Sequence, residues 1–511
     1  MEEPFSKEID DKDIKGKDIQ QNKCLSFKTV VALLTIIGIL VIGVVVLVLI
    51  IVLKDDDDKK TERPINPPPE EEEKPINPPP EEEEKPMEGR KILFQQPKET
   101  ERAKHIIVHI PEKEIFMSTL HPAASLYEDV TDDVKVKQCF DDLKSILKEK
   151  NIELITVRSA LKLNKTALKK LASDALVYHY DDEEAQKYEK YEEFKKIVTD
   201  EYKEEVLNKL SEEQLVDVVL NNPRYELRPT DSNTFIEPTS ISFSPLGNLV
   251  FCRDQQITTR KGVVIGRARS SQRAGEHKIM EQVFKNINAT IVGNAKEGGE
   301  NSFLEGGDYF VAKNDLSMLG VGLRTTMDGA KYLMENDLLG TQFMAIVYDD
   351  EDLDQQRMHL DTYFNMLSDK HVIVLNFTEC EEKYKKKVNR KVFLFEQNAK
   401  NPISEDEVVV NETNIADIPK VVGNYKLISV YQKFYDFLDD HGYTRILVSD
   451  QQQIDYMINF LNIGNNEILS VNEKLGEVAK DANVKVKFVE FRPILNMYGA
   501  MHCITQVSRV E

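Results

Sequence analysis

Beyond its first hundred residues the sequence predicts an α/β fold, on three observations. Short apolar runs of strand length recur along it, helical patterns lie between several of them, and no second proline-rich break divides the run. In order, the strand-like runs are HIIVHI (105–110), IELITV (152–157), NLVFC (248–252), FMAIVYD (343–349), HVIVLNF (371–377), RILVSD (445–450) and VKVKFVEF (484–491). Helical patterns run from Val134 to Lys150 and from Ala274 to Asn286. The stretch 163–222 departs from the alternation and reads as helical throughout. Ser211 with Gln214 forms a capping box ahead of Leu215, Val218 and Val219, and Asn221-Asn222-Pro223 ends the pattern. This is the signature of a helical insertion within an α/β domain.

The first hundred residues are of another kind. After a hydrophilic tail (1–28), residues 29–53 are uncharged, proline-free and apolar, which is long enough for a transmembrane helix. A secretory signal would be shorter and followed by a small-residue cleavage site, and none follows. Lys12, Lys15, Lys17, Lys23 and Lys28 precede the span, against Lys54, Lys59, Lys60 and Arg63 after it. That small excess leans toward a cytosolic N-terminus, a single-pass type II arrangement. Residues 54–100 read as a disordered stalk. It opens with DDDDKK and carries PINPPPEEEEK twice, from Pro64 to Lys74 and from Pro75 to Lys85, so that proline stiffens the chain and like charges extend it. Residues 101–511 make the globular domain.

The chain of 511 residues has 67 basic and 89 acidic side chains, a net charge of −22. Such a balance repels phosphate backbones and argues against nucleic-acid binding. Cys24, Cys139, Cys252, Cys380 and Cys503 are widely spaced and form no CxxC, which argues against a cysteine zinc site or a disulfide scaffold.

Five short motifs carry groups capable of chemistry: FCRD (251–254), FLEGGDYF (303–310) with Glu305 and Asp308, GVGLRTT (320–326) with Arg324, MHLDTYF (358–364) with His359 and Asp361, and GAMHCITQ (499–506) with Cys503 beside His502. Each alone has an ordinary explanation as strand end, glycine turn, surface arginine or buried thiol. Together they offer a thiol, a histidine, carboxylates and arginines without metal-ligand spacing. That set suits covalent attack on a cationic, nitrogen-bearing carbon such as a guanidinium, which carboxylates orient, a thiolate attacks and an acid relieves of ammonia.

The ordered motifs FxRD, RxxE (Arg273–Glu276), LEGGD, GxGxRT, MHLDTxF and HCxTQ resemble arginine deiminase, in the guanidine-modifying superfamily of pentein fold. The opening HIIVHIPEKEIF and HPAASLYEDV is similar too. The resemblance implies an α/β propeller of repeated ββαβ units and hydrolysis of free L-arginine to citrulline and ammonia, with no metal or cofactor. It implies Cys503 as nucleophile, His359 as acid and base with Glu305 bonded to it, and Asp254 and Asp361 on the guanidinium. Arg273 and Arg324 would bind the substrate carboxylate, with Asn248 and Phe251 lining the pocket. Partners implied are the small-molecule substrate, the bilayer through residues 29–53 and a second copy of the chain. The chain departs from the family pattern before the cysteine, where LNMYGAMHC has Tyr498 in place of an arginine and only Gly499 remains of a glycine run. HCITQ is also similar to agmatine deiminase, and a peptidyl-arginine deiminase or amidinotransferase using the same cysteine and histidine, or an inactive pentein domain serving as a surface binding module, are the alternative readings. Retention of both Arg273 and Arg324 favours a substrate with a carboxylate, because two buried cations facing no anion would be left unpaired.

Overall fold

The computed structural model describes residues 91–400 and 418–510. The predicted tail, transmembrane helix and most of the stalk lie outside the described residues.

One pairing pattern recurs five times: a first strand runs antiparallel to a central strand, which pairs in parallel with a third after a helical crossover. It links Gln256–Thr258, Val263–Ile265 and Ile291–Asn294 around the helix Ala274–Asn286. It links Tyr309–Lys313, Leu316–Val321 and Phe343–Tyr348 around Met327–Glu335. Phe364–Met366, His371–Leu375 and Thr444–Val448 form the next unit, and Leu461–Gly464, Glu467–Ser470 and Lys485–Phe488 another. The last joins the chain's two ends, with Gln506–Ser508 antiparallel to His105–Val108 and the latter parallel to Glu153–Thr156. The pairing explains the apolar runs: central strands such as Leu316–Val321 are buried along their whole length, as strands covered on both faces must be. Lys391–Gln397, Tyr425–Tyr431 and Val421–Val422 extend one unit to a six-stranded sheet.

Crossover helices show why they form. Asp132 caps Asp133–Glu149 by accepting from the Lys135 N–H, and Val136, Phe140, Leu143 and Leu147 make one buried stripe. The Ser211–Gln214 capping box is present, and Asn222, at φ 45°, ends that helix before Pro223. Leu215, Val219 and Leu220 pack with Leu168, Leu171, Met280 and Phe284, so the insertion shares the core of its neighbours.

Three expectations are corrected. The insertion is not helical throughout: Val177–His179 is a strand, drawn into parallel pairing by Pro223–Pro229, which also pairs with Ile236–Phe243. NLVFC is not a strand, because Gly247–Val250 closes as a tight 3-10 turn with Phe251 and Asp254 on its exit. The last ten residues given to the stalk are packed: Ile92 and Phe94 are buried, Phe94 edge-on to Phe284 at 5.2 Å, and the Glu99 N–H bonds Val311 O at 2.8 Å.

Candidate active site

Residues just before the first strand of each unit meet in one place. Asp254 precedes Gln256–Thr258, Glu305 precedes Tyr309–Lys313, His359 and Asp361 precede Phe364–Met366, Asn459 precedes Leu461–Gly464, and Cys503 precedes Gln506–Ser508. The repeat therefore supplies the convergence, with one strand entrance per unit feeding a common site.

Cys503 is buried, and its Sγ lies 3.6 Å from Asp361 Oδ2 and 3.0 Å from Asn459 Nδ2. Burial, reinforced by the charges of Asp361 and Asp254, pushes the thiol well above its ordinary range. His359 caps the short helix Leu360–Tyr363, and its Nε2 bonds Glu305 Oε2 at 2.8 Å. Burial opposes a charged imidazole there, but the Glu305 bond and the charges of Asp254 and Asp308 outweigh it and raise His359 to about 9. Glu305 is moved the other way: burial alone would raise it, while the His359 bond and the His359, Arg324 and Arg273 charges hold it well below the carboxylate range. Its other oxygen accepts from the Arg269 N–H at 3.0 Å, which fixes its orientation. Gly307 is required beside this pair, since a Cβ there would stand 2.7 Å from His359 Nδ1.

Asp308 accepts from the N–H groups of Thr325 (3.3 Å) and Leu360 (2.9 Å). It thereby ties the loop bearing Arg324 to the one bearing His359. Asp254 bonds Arg273 Nη1 at 2.7 Å through Oδ2. The remaining Arg273 nitrogens bond Glu276 and the Asn248 carbonyl, so each of them is engaged within the fold. Arg324 donates from Nη2 to Gln355 Oε1 at 3.1 Å, and its buried Nε has no partner among the described residues. Asn248 donates to Ser125 O at 2.8 Å. The Phe251 ring covers Gly499, where a Cβ would come within 2.1 Å of it. Tyr498 is held at φ 65°, a conformation costly for a bulky residue.

The site residues assigned from the sequence thus converge on one region beside two adjoining clefts, with Glu305 and Asp361 fully buried behind the lining. A charged cleft of about 360 Å³ is lined by Asn248, Phe251, Asp254, Arg273, Arg324 and His359. A cleft of about 540 Å³ is lined by Gln453, Tyr456, Asn459 and Thr362 among others, and Cys503 and Tyr498 border both. Asp254, Glu305 and His359 each bring an atom capable of binding a cation to within 4.8 Å of the others. Glu305 is already bonded to the imidazole and Asp254 to Arg273, so the cluster is an ion-paired acid–base site as it stands.

The sequence assigned no role to His502, although it stands beside Cys503, and did not single out Asn459. His502 Nδ1 bonds Asp361 Oδ2 at 2.7 Å, and its ring stacks on Phe310. Its adjacency to the cysteine was the available signal. Asn459 had none until the repeated units were laid side by side.

Around the thiol, Asp254 Oδ1, Asp361 Oδ1 and His359 Nδ1 are buried without hydrogen-bond partners among the described residues. The arrangement offers a nucleophile, a protonated imidazole and two carboxylate oxygens to a planar, cationic ligand with N–H donors.

A family model described as arginine deiminase matches residues 124–509. Among curated proteins, arginine deiminase of Oenococcus oeni is 25% identical over 288 residues, covering 53% of this chain and 65% of the relative. Arginine deiminase 1 of Staphylococcus epidermidis is 27% identical over 204 residues, 38% of this chain and 48% of that one. The Halobacterium salinarum enzyme is 22% identical over 344 residues, 53% and 66% respectively. The chain thus spans two thirds or less of the length of these relatives. Of solved structures, DDAH from Pseudomonas aeruginosa in complex with citrulline overlaps with a TM-score of 0.42 at 12% identity, over 80% of this chain and 99% of that one. The product-bound N-terminal domain of ArgZ, a cyanobacterial arginine dihydrolase, gives 0.36 at 16%, over 56% and 80%. Both overlaps are loose.

Proposed function

The chain belongs to the arginine deiminase family, and from that premise we propose that it hydrolyses free L-arginine to L-citrulline and ammonia through a covalent cysteine adduct. One observation carries the reading: unpartnered oxygens of Asp254 and Asp361 near Cys503, with Asp254, Cys503 and a protonated His359 lining one cleft.

A guanidinium entering there donates to the two carboxylates, which places its carbon against Sγ. Burial, and after it the field of Asp361 and Asp254, keeps the thiol protonated; the substrate's positive charge offsets that field, and the thiol proton is lost to solvent as the substrate binds. The thiolate adds to the guanidino carbon. His359 gives its proton to the departing nitrogen, and ammonia leaves a thiouronium on Cys503. Neutral His359 then takes a proton from water, whose oxygen bonds the same carbon. Collapse expels the thiolate and leaves the ureido group, the hydroxyl proton ending on ammonia as ammonium. Glu305 stabilises the imidazolium at both ends of the cycle.

We propose further that the repeated units close into a five-bladed propeller and that residues 29–53 anchor the chain as a single-pass membrane protein with the N-terminus cytosolic. The anchor reading is supported by the 25 uninterrupted apolar residues. Among the described residues no helix is long and apolar enough to cross a membrane, so the anchor rests on that segment alone. Protease shaving of sealed, right-side-out vesicles tests orientation: protection of the C-terminal domain rules out the type II arrangement. For activity, the full chain is incubated with arginine, agmatine or an arginine peptide, and ammonia and ureido product are measured. Arginine turnover that vanishes in Cys503→Ser is expected. Turnover of agmatine or the peptide instead reassigns the substrate, and no turnover of any overturns the deiminase reading.

A further inference from the structure

We propose that Asn459 is a catalytic residue of this site, its amide N–H holding the Cys503 sulfur as a thiolate while its carbonyl fixes the backbone that carries it. The proposal rests on Cys503 as nucleophile, and its test reads the sulfur directly.

The contacts are specific. Asn459 Nδ2 donates to Cys503 Sγ at 3.0 Å and to the Asp361 carbonyl at 3.2 Å, while Oδ1 accepts from the N–H groups of His502 (3.1 Å) and Cys503 (3.3 Å). The two backbone donors and the backbone acceptor fix which end of the amide faces which way: the carbonyl must meet the N–H groups, so the NH₂ must meet the sulfur. A structural asparagine needs only the backbone bonds. Here one donor is directed at the reacting atom in a buried setting, where Asn459 is 3% exposed and the thiol 5%.

The electrostatics call for such a donor. Both carboxylates near Sγ oppose a thiolate, and Asp361 Oδ2 at 3.6 Å can only accept from it. Among the described residues Asn459 is the side chain that donates to the sulfur, and a neutral N–H lowers the cost of the buried anion without adding charge to the guanidinium's own pocket. The repeat points to the same residue. Four units present Asp254, Glu305, His359 with Asp361, and Cys503 just before their first strands, and Asn459 holds that place in the fifth. It lines the neighbouring cleft with Tyr456 and Thr362, a cleft that Cys503 also borders.

Asn459→Asp keeps an oxygen for the two N–H groups but replaces the donor with a charge; Asn459→Ala removes both functions. For each, the rate of Cys503 alkylation by iodoacetamide is measured against pH, with the modified residue identified by mass spectrometry and Cys503→Ala as background. Melting temperature, kcat and KM are taken alongside. Both variants are expected to move the alkylation midpoint up by about one pH unit or more, which is about tenfold slower alkylation at a fixed pH below it. Where arginine is turned over, kcat falls at least about tenfold with KM within about threefold. A folded variant with an unmoved alkylation profile overturns the proposal, even if kcat falls, because a merely structural role predicts that result. An unfolded Asn459→Asp leaves Asn459→Ala to decide by the same criterion, and if both unfold, the residue is structural and the proposal is overturned. Absence of arginine turnover in the unaltered chain counts against the deiminase reading and leaves the alkylation comparison intact.

Discussion

Replacing Glu305 by glutamine tests the central acid–base pair. Glutamine has nearly the same shape, and its carbonyl can still accept from the Arg269 N–H at the position where Oε1 sits 3.0 Å away. It puts a neutral amide donor where His359 Nε2 meets a carboxylate at 2.8 Å. His359 is raised from 6.5 to about 9 although burial pulls it down, and the Glu305 bond is the largest of the raising causes, ahead of the charges of Asp254, Asp308 and Glu305. Losing Glu305 therefore lowers it, within the limit set by the Asp254 and Asp308 charges that remain, and each unit of lowering is worth about 1.4 kcal/mol in the balance between imidazole and imidazolium. At pH 7.5 a group of pKa about 9 is about 97% protonated, so a reaction needing His359 as acid slows as that fraction falls. The assay is citrulline formation from pH 5.5 to 10.5. The unaltered chain should lose activity as pH rises through about 9, and Glu305→Gln should lose it at a lower pH. An alkaline limb that stays near 9 in the variant refutes the assignment of Glu305 as the group that holds the proton on His359.

The same linkage has a stability sign. A pKa raised on folding stabilises fully below about 6.5 and ceases to as pH passes about 9. Chemical denaturation at pH 6 and pH 10 should therefore show a larger drop in the unaltered chain than in Glu305→Gln. Gly307→Ala places a Cβ 2.7 Å from His359 Nδ1 and 3.1 Å from Asp361 Oδ1. It should cost about 10- to 100-fold in kcat through displacement of those two groups, with little change in melting temperature. Arg390 is fully buried, bonds Asp349 at 3.0 Å and Asp352 at 2.9 Å, and lies over the Tyr363 ring. Arg390→Met removes one bond from Asp352, which keeps Arg357 and Lys386, and one from the partly exposed Asp349, and should destabilise by about 1–3 kcal/mol in urea titration.

The residues that bear charge and the strands that place them were legible in the sequence for a physical reason. A buried parallel strand must be apolar along its buried length, as the Val372–Leu375 part of His371–Leu375 is, and site residues lie at strand entrances where motifs such as LEGGD and MHLDT stand out against that background. What was hidden depended on partners distant in the chain. Val177–His179 becomes a strand only because Pro223–Pro229 comes alongside it. Residues 91–100 look like stalk by position and are packed because Ile92 and Phe94 find a groove beside Phe284. Asn459 looks like any polar residue before a strand, and its meaning comes from the sulfur and two N–H groups contributed by a loop more than forty residues away.

The two arginines assigned from the sequence to the substrate carboxylate are not equivalent in the fold, and the difference sets a test of substrate identity. Arg273 is clasped by Asp254 at 2.7 Å and Glu276 at 2.9 Å, so its charge is already balanced by groups of the protein. Arg324 faces a neutral glutamine and the Met358 sulfur, and its buried Nε is unpartnered among the described residues. A buried guanidinium in that state gains most from an incoming anion, so under the proposed function Arg324 would meet the substrate carboxylate and Arg273 would hold Asp254 in place. Arg324→Gln should therefore raise KM for arginine about 10- to 100-fold, the value of one charge-assisted bond pair. For agmatine, which has no carboxylate, kcat/KM should change less than about threefold. Arg273→Gln should depress both substrates, because it leaves Asp254 and Glu276 as adjacent buried charges. Equal losses on arginine and agmatine in Arg324→Gln would show that the arginine shapes the cleft without meeting a carboxylate, and the case for arginine over agmatine would then lose its structural support.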